Sequence, residues 1–124
     1  MVIRTHTTGT VTMSAATDTA TLPDVTGRIK SIAIKPSGTS TDFIISTTKA
    51  GISEVIFGSG GAISVAAAGE VLCPQKLAVD DDNGALTVTS NTYVDFVLDH
   101  HDITIAVSAG AAAETYVVEI IVEE

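Results

Sequence analysis

Hydrophobic and polar residues alternate over much of this chain with a period of two, the period of a β-strand that has one buried face. The alternation is clearest near the C-terminus, where one side of a strand is formed by Tyr116, Val118, Ile120 and Val122. Val117 and Ile121 fall on the opposite side of the same strand. The pattern therefore predicts a last strand with an apolar stripe on each face.

Two neighbouring runs in the first half of the chain are rich in β-branched and aromatic residues. They are residues 27–36 and 41–48, and the loop between them, residues 37–40, has the sequence Ser-Gly-Thr-Ser. Such a pair is typical of a β-hairpin, and we expect this hairpin to supply the centre of a sheet.

The first of these runs contains an irregularity. Ile32 and Ile34 share a face, whereas Ile29 falls on the other. The spacing predicts either a β-bulge near Ser31 or a strand that is covered on both faces, as a subunit interface would cover it.

Further strands are predicted along the rest of the chain. They are residues 9–16, 52–57, 62–68 (whose alanines would equally suit a helical turn), 71–74, 85–89, a run with Val94, Phe96 and Leu98, and a run with Ile103, Ile105 and Val107. Residues 17–23 are predicted to be a connection and residues 58–61 a Gly-rich loop. Strands at this spacing, without a helical period, predict an all-β fold: an antiparallel β-sandwich, specifically a jelly roll of about eight strands.

The composition is that of one globular domain. The chain has 124 residues and a mass of 12.7 kDa, and 45% of its residues are hydrophobic. We expect a single domain over residues 1–124, with residues 1–10 as an N-terminal arm. Aromatic residues make up only 4% and Trp is absent, so the predicted core consists of Val, Ile, Leu and Ala.

Charge and cysteine content narrow the functional classes. Six basic and fifteen acidic residues give a formal net charge of −9, which argues against nucleic acid and against an anionic membrane as partners. The single cysteine, Cys73, excludes an intramolecular disulfide. The first nine residues lack the apolar core of a signal peptide, and no apolar run approaches the roughly 20 residues of a membrane helix, so we expect a soluble chain made in a cytoplasm.

Two polar clusters could bind metal ions. Residues 80–84, Asp-Asp-Asp-Asn-Gly, offer clustered carboxylates for calcium, but their spacing is not that of an EF-hand, which favours a solvated turn. His100, His101 and Asp102 could form part of a metal site. Adjacent side chains on an extended chain point to opposite faces, however, which favours a loop between strands. His6 is isolated in the sequence.

No catalytic signature is present. Cys73 lies among apolar residues, which is typical of a small buried hydrophobe. Residues 58–61, Gly-Ser-Gly-Gly, are followed by neither a Lys nor a helix, unlike a phosphate-binding loop. We therefore predict no catalytic residue, no cofactor and no metal site.

The order of the strand patterns resembles that of small structural proteins of tailed bacteriophages. The pattern consists of Gly27, Ile32, Ala33, Ile34 and Pro36, then residues 41–47, Pro74, Gly84, Tyr93 and Val94, residues 103–108 with Gly110, and residues 117–123. Within that group the chain is similar to capsid decoration proteins, also called cement proteins. These have a jelly-roll or related β-sandwich fold and are often trimeric on the shell.

The resemblance implies a structural virion protein rather than an enzyme. Such a protein would lie on the capsid surface, would be assembled in the cytoplasm of the host bacterium, and would bind the major capsid protein as a homotrimer. We expect the subunit contacts at Ile29, Val117 and Ile121. The alternative interpretation of these three residues is that they cover the second face of a sandwich beneath a loop.

Two other functions stay open at this point. One is a module of a phage tail, fibre base or head spike, with affinity for glycans. The other is a cupin-like metal-binding protein, which would need a cluster of His and Glu ligands across several strands.

Overall fold

A computed structural model of the chain describes residues 2–58, 60–77 and 93–124, and all of the regular structure in these ranges is β-strand. The strands are β1 (Ile3–Thr7), β2 (Val11–Thr12), β3 (Asp18–Pro36), β4 (Thr41–Lys49), β5 (Ile52–Phe57), β6 (Ile63–Val65), β7 (Glu70–Leu72), β8 (Gln75–Leu77), β9 (Tyr93–Asp95), β10 (Val97–Ser108) and β11 (Thr115–Glu123). The predicted all-β class is confirmed. None of the described residues belongs to a helix that could span a bilayer.

Strand β3 organises the fold because its two halves belong to different layers. The first half pairs with β10, whereas the second half lies between β11 and β7. We call β1, β2, β11, the second half of β3 and β7 sheet I. The first half of β3, β10, β4, β5 and β6 form sheet II. All of these pairings are antiparallel.

The two layers pack face to face as a sandwich. Strands β4 and β11 are separated by β10 and β3 in the strand order, yet the ring centroids of Phe43 and Tyr116 lie 5.9 Å apart in an edge-to-face arrangement. Contact between strands that are not neighbours requires the continuous sheet to fold over on itself. The antiparallel β-sandwich is therefore present, while its jelly-roll topology stays a prediction.

The bend of β3 is produced by three local irregularities. Asp24 and Gly27 have positive φ angles of 56° and 128°. Lys30 is a bulge residue, because Ile29 pairs with Val122 while Ser31 pairs with Ile121. The predicted bulge near Ser31 is thus confirmed, and such a bulge both bends a strand and increases its twist.

The core is mostly aliphatic, but it also contains Phe43, Phe57, Phe96 and Tyr116, which corrects the prediction of a core of Val, Ile, Leu and Ala alone. Its largest fully buried side chains are Tyr116, Phe43, Met13, Ile29, Ile32, Ile34, Ile45, Ile103, Ile105, Ile120, Val25 and Val65. The predicted inward positions of the last strand are confirmed, since all four of them are 0% exposed. The hydrophobic effect of this burial is the main favourable term that stabilises the sandwich.

The predicted hairpin is wrong, although both of its strands exist. Strand β4 pairs with β10, β5 and β6, and it does not pair with β3. After Pro36 the chain stays attached to sheet I: Ser37 N donates to Thr115 O, and Thr115 N donates to Ser37 Oγ, each at 2.8 Å. Residues 37–40 therefore carry the chain from sheet I into sheet II.

One segment predicted as a connection is a strand. Residues 17–23 are predicted to be irregular, but β3 begins at Asp18, because Ala20 and Leu22 turn inward between exposed threonines. The predicted N-terminal arm, residues 1–10, contains β1, which pairs with β11 from Thr7↔Glu119 to Ile3↔Glu123. The predicted strand at residues 85–89 lies outside the described residues.

Three other predictions of strands are confirmed in outline. Residues 52–57 form β5, part of 62–68 forms β6, and part of 71–74 forms β7. The predicted strand over residues 9–16 contains only the two residues of β2, after which Met13 is buried in the core.

Candidate functional site

The outward side chains of sheet I form a continuous surface that we call the β11 face. Its members are Val117, Glu119 and Ile121 on β11, Ser31, Ala33 and Lys35 on β3, and Val71 on β7. The register of the sheet places these side chains in rows, because directly paired residues on neighbouring strands point to the same side. Val117 lies opposite Lys35, and Ala33 lies between Glu119 and Val71.

The centre of the β11 face is a shallow apolar depression. Its volume is about 270 Å³, and its lining includes Ala33, Ala68, Val71 and Val117, with Lys35, Glu70 and Glu119 around them. The small side chain of Ala33 makes the low point between two longer neighbours. Gly69 closes one side, where a Cβ would lie only 3.0 Å from Ile34 O. The depression is therefore built by backbone packing as well as by side chains.

The apolar side chains of this face are only partly covered by the chain itself. Val71 is 72% exposed, and Val117, Ile121 and Ala33 are half-buried. Strand β11 is apolar on both sides, as the sequence predicts, with a fully buried inner side and a partly exposed outer side. Such a face can bind another surface at low cost in desolvation.

The charged side chains of the β11 face lie close to one another. Lys35 pairs with Val117, and Glu119, two residues further along β11, pairs with Ala33. Among the described residues, the ion pairs of basic side chains with carboxylates use Arg4, Lys30, Lys49, Lys76 and His100. Lys35 therefore has no ion-pair partner within the described part of the chain.

The three predicted subunit contacts lie in different environments. Val117 and Ile121 lie on the β11 face. Ile29 is 1% exposed and lies in the core, because the bulge at Lys30 brings it to the same side as Ile32 and Ile34. Its side chain is covered by the chain itself, so it has no surface for a partner.

A second, polar cleft lies at the corner where β3 passes from sheet II to sheet I. We call it the corner cleft. It has a volume of about 240 Å³ and is lined by Arg4, His6, Asp24, Thr26, His100 and Glu124. These residues come from β1, β3, β10 and the C-terminus, so the cleft forms only when distant parts of the chain meet. Sequence inspection gave no signal for it.

His100 and Asp24 are the central pair of the corner cleft. His100 Nδ1 and Asp24 Oδ1 are 2.5 Å apart, and the hydrogen bond with Asp24, together with its negative charge, raises the pKa of His100 above its ordinary value. The backbone is held by side chains as well, since Asp24 N donates to Asp102 Oδ1 and His100 N donates to Thr26 Oγ1.

The predicted loop at residues 100–102 is wrong. These residues lie within β10, which continues from Val97 to Ser108 with register shifts on both sides of His101. At this irregularity His100 has a left-handed backbone conformation, with a φ angle of 54°. The two histidines contact different groups: His100 Nδ1 hydrogen-bonds to Asp24, whereas His101 Nδ1 accepts a hydrogen bond from Asp99 N.

His6 lies nearer to the other histidines than its position in the sequence suggests. It lines the corner cleft together with His100, and its Nε2 atom is buried without a hydrogen-bond partner in the described structure. Across residues 2–58, 60–77 and 93–124, no three His, Cys, Asp or Glu side chains are placed to hold a metal ion together.

Cys73 is exposed, which corrects the prediction that it is buried. It lies between β7 and β8, where Leu72 is half-buried and Pro74 is buried. The apolar neighbours therefore face inward and Cys73 faces outward, as the period of two requires. The acidic residues 80–84 lie outside the described residues, as does Ser59 of the Gly-rich loop.

Comparison with known proteins identifies no relative. No protein-family model matches the chain, and neither a curated protein nor a solved structure matches it.

Proposed function

We propose that the chain is a structural virion protein that decorates a phage capsid. It binds the major capsid protein and other copies of itself, as a homotrimer, and stabilises the shell through contact rather than catalysis. The order of its strand patterns, which resembles that of decoration proteins, is the origin of the proposal. The sandwich fold is consistent with it.

The strongest support for the proposal is the pattern of side chains on the β11 face. Specific protein interfaces bury roughly 1,200–2,000 Å² in total, with an apolar centre and a polar rim. The β11 face has this arrangement on a small scale: Ala33, Val117 and Val71 lie at the centre, and Lys35 and Glu119 lie around them. Val117 and Ile121, on the outer side of β11, are only half-buried by the chain itself, so a partner on this face would bury them further.

The way the two ends of the chain are held also supports a mechanical role. Strand β1 is paired with β11 along its whole length, and the ion pair between Arg4 Nε and Glu124 Oε2, 2.6 Å apart, joins the terminal segments. Both terminal segments are therefore part of sheet I, and a contact that they make with a shell would act directly on the sandwich.

The copy number in purified particles tests the proposal. Peptides of this chain and of the major capsid protein would be quantified by mass spectrometry in particles of the virus that encodes it. Hundreds of copies per particle would support capsid decoration. A few copies, or about a dozen, would contradict it and would favour the tail or spike function, and absence from the particle would contradict both.

A further inference from the structure

We propose that the free edge of β1 pairs with the β1 edge of a second copy as an antiparallel ladder, so that sheet I continues from one chain into the other. An antiparallel contact between identical strands has two-fold symmetry. It is therefore a different contact from the homotrimer in the proposed function, and it does not depend on that trimer.

The backbone of β1 has one side without a partner in the described part of the chain. The strand lies at the end of the sheet order, and β11 is its pairing partner there. Val2 N donates to Glu124 O at 3.3 Å, and Thr8 N donates to Val118 O at 3.0 Å. Because hydrogen-bonded pairs alternate along an antiparallel ladder, the even-numbered residues of this strand bond to β11. The backbone groups of the odd-numbered residues therefore point away from it.

Ile3, Thr5 and Thr7 are the residues whose N–H and C=O groups point outward. An antiparallel second copy matches these groups directly, with Thr5 opposite Thr5 and Ile3 opposite Thr7, and forms about six hydrogen bonds between the chains. Strand β1 has no proline, and its register with β11 has no shift from Ile3 to Thr7. It therefore lacks the prolines and bulges that commonly block pairing at an edge.

The side chains of this edge also suit a second copy. Ile3 is 64% exposed, and in the proposed register it lies beside the second copy's Thr7, at each end of the contact. The row on the other side of the sheet places Arg4 beside the second copy's His6. Arg4 is already paired with Glu124 in its own chain, so this row brings no uncompensated charge from Arg4.

The distribution of acidic residues permits two copies to approach at β1. The chain has a formal net charge of −9, so copies repel each other in most orientations. Strand β1 itself contains no acidic residue. The two β11 strands, which carry Glu119 and Glu123, would lie about 14 Å apart, because both β1 strands separate them at about 4.8 Å per step. This distance exceeds the screening length of about 8 Å at physiological ionic strength.

The opposite end of the sheet, β5, is protected against the same contact. The turn before it consists of Ala50 and Gly51, with φ angles of 52° and 78°. In a two-residue turn of this kind the backbone of Ser53 points away from β4. The next residue is Glu54, which forms an ion pair with Lys76 of β8. Charged side chains on an edge strand oppose pairing with another copy, so we expect the contact at β1 rather than at β5.

The first experiment compares Thr5→Pro with Ser53→Pro. Each variant removes one outward N–H from an edge strand and leaves the hydrogen bonds to the neighbouring strand in place. Masses would be measured by light scattering from about 10 μM to about 1 mM, since a contact smaller than a standard interface associates weakly. A reductant is present because Cys73 is exposed, and circular dichroism would confirm that both variants are folded.

We expect the masses of the native protein and of Ser53→Pro to rise with concentration. A single 12.7 kDa chain would approach twice its mass, and a trimer would join further trimers. Association of Thr5→Pro should be at least about tenfold weaker. A native mass that stays constant up to about 1 mM would overturn the inference, as would a folded Thr5→Pro variant that associates like the native chain.

The second experiment tests the register by cross-linking. Thr5→Cys and Thr7→Cys would each be made together with Cys73→Ser; both positions are exposed and lie on the same side of β1. Residue 5 lies opposite residue 5 of the second copy, at a Cα distance of about 5.5 Å that a disulfide can span. The two copies of residue 7 lie about 13 Å apart along the strands.

Mild oxidation should therefore produce the covalent dimer of Thr5→Cys at least about tenfold faster than that of Thr7→Cys. A mixture of Ile3→Cys and Thr7→Cys should cross-link as readily as Thr5→Cys alone. Equal rates for Thr5→Cys and Thr7→Cys would overturn the register. Faster cross-linking of Thr5→Cys to a Ser53→Cys variant than to itself would overturn the inference, because β5 would then occupy the edge.

These outcomes are distinguishable from those of the proposed function. A trimer that does not associate further would contradict the β1 contact and leave the copy number in particles unaffected. Conversely, a β1 contact confirmed by the cross-links in a chain that is absent from particles would support this inference and contradict the proposed function.

Discussion

Asp24 of β3 and His100 of β10 hydrogen-bond to each other, and both have left-handed backbone conformations, with φ angles of 56° and 54°. Residues other than glycine rarely adopt such angles, at a cost of roughly 1–2 kcal/mol each. Here the cost is offset by cross-strand hydrogen bonds from Asp24 N to Asp102 Oδ1 and from His100 N to Thr26 Oγ1. The two kinks lie on either side of the Val25–His101 pair, at the corner where β3 changes layer.

The Asp24–His100 pair should make the stability of the fold depend on pH. The pKa of His100 is raised above 6.5 by the hydrogen bond with Asp24 and by its charge. A raised folded-state pKa adds stability that is complete below the unfolded-state pKa of about 6.5 and is lost as the pH rises through the folded-state pKa. We expect Asp24→Asn to lower the His100 pKa and to reduce this pH dependence.

Proton NMR titration of His100 and thermal melts across the same pH range would check this. Asp42→Asn is the matched control, because Asp42 pairs with Ser108 at the far end of β10. Equal His100 titration curves for the native protein and Asp24→Asn would contradict the assignment.

The local pattern of the sequence predicts much of this fold, and the long-range pairing decides the rest. Alternation identified the inward side of β11, and the break in alternation at Ile29 identified the bulge. Alternation could not show that β4 pairs with β10 rather than with β3, because proximity in sequence favours a hairpin. In the structure, the hydrogen bonds between Ser37 and Thr115 hold the end of β3 on sheet I instead.

The candidate surfaces, too, can be predicted from the sequence only in part. Val117 and Ile121 were found because an apolar residue on the wrong side of a strand is visible in the sequence. The depression between Val117 and Val71 depends on the pairing of β7 with β3, which no local pattern in the sequence predicts. The corner cleft brings together His6 and His100, ninety-four positions apart, and only the folded chain shows it.

The hydroxyl of Tyr116 should contribute measurably to stability. The ring is 0% exposed, and its hydroxyl donates to Asp18 Oδ2 at 2.7 Å, between β11 and the start of β3. Hydrogen bonds to charged groups contribute roughly 1.5–3 kcal/mol, so Tyr116→Phe should lower the free energy of unfolding by about that amount. Tyr93→Phe is the control, because Tyr93 is 57% exposed. Urea denaturation would measure both, and equal losses would contradict the prediction.

Gly27 should not tolerate a side chain. Its φ angle is 128°, and a Cβ would lie 2.9 Å from the backbone oxygen of Glu123. Gly51 also has a positive φ, 78°, but a Cβ there would meet nothing within 4 Å. We expect Gly51→Ala to cost about 1 kcal/mol from backbone strain alone, and Gly27→Ala to cost at least about twice as much, since β11 must also move. Equal unfolding free energies for the two variants would contradict this prediction, because they would mean that β11 can move away from residue 27 without loss of stability.

Two consecutive residues of β11 should affect different properties of the chain: Ile120 its folding and Ile121 its association. Ile120 is 0% exposed and packs in the core, whereas Ile121 lies half-buried on the β11 face. Ile120→Ala should therefore cost about 2–5 kcal/mol of unfolding free energy, as large-to-small changes in cores do. Ile121→Ala removes the same atoms from a surface that water still reaches, so its cost in a dilute, dissociated sample should stay below about 1.5 kcal/mol.

When association is measured instead of folding, Ile121→Ala should have the larger effect and Ile120→Ala the smaller one. If a neighbouring copy covers the β11 face, Ile121→Ala should weaken assembly in light scattering while its single-chain stability remains near native. Ile120→Ala should leave the assembly constant of the folded fraction nearly unchanged, because its side chain never reaches the surface. Should Ile121→Ala associate as strongly as the native chain, the outer stripe of β11 would be cover for the sandwich, and the contact between copies would have to lie elsewhere.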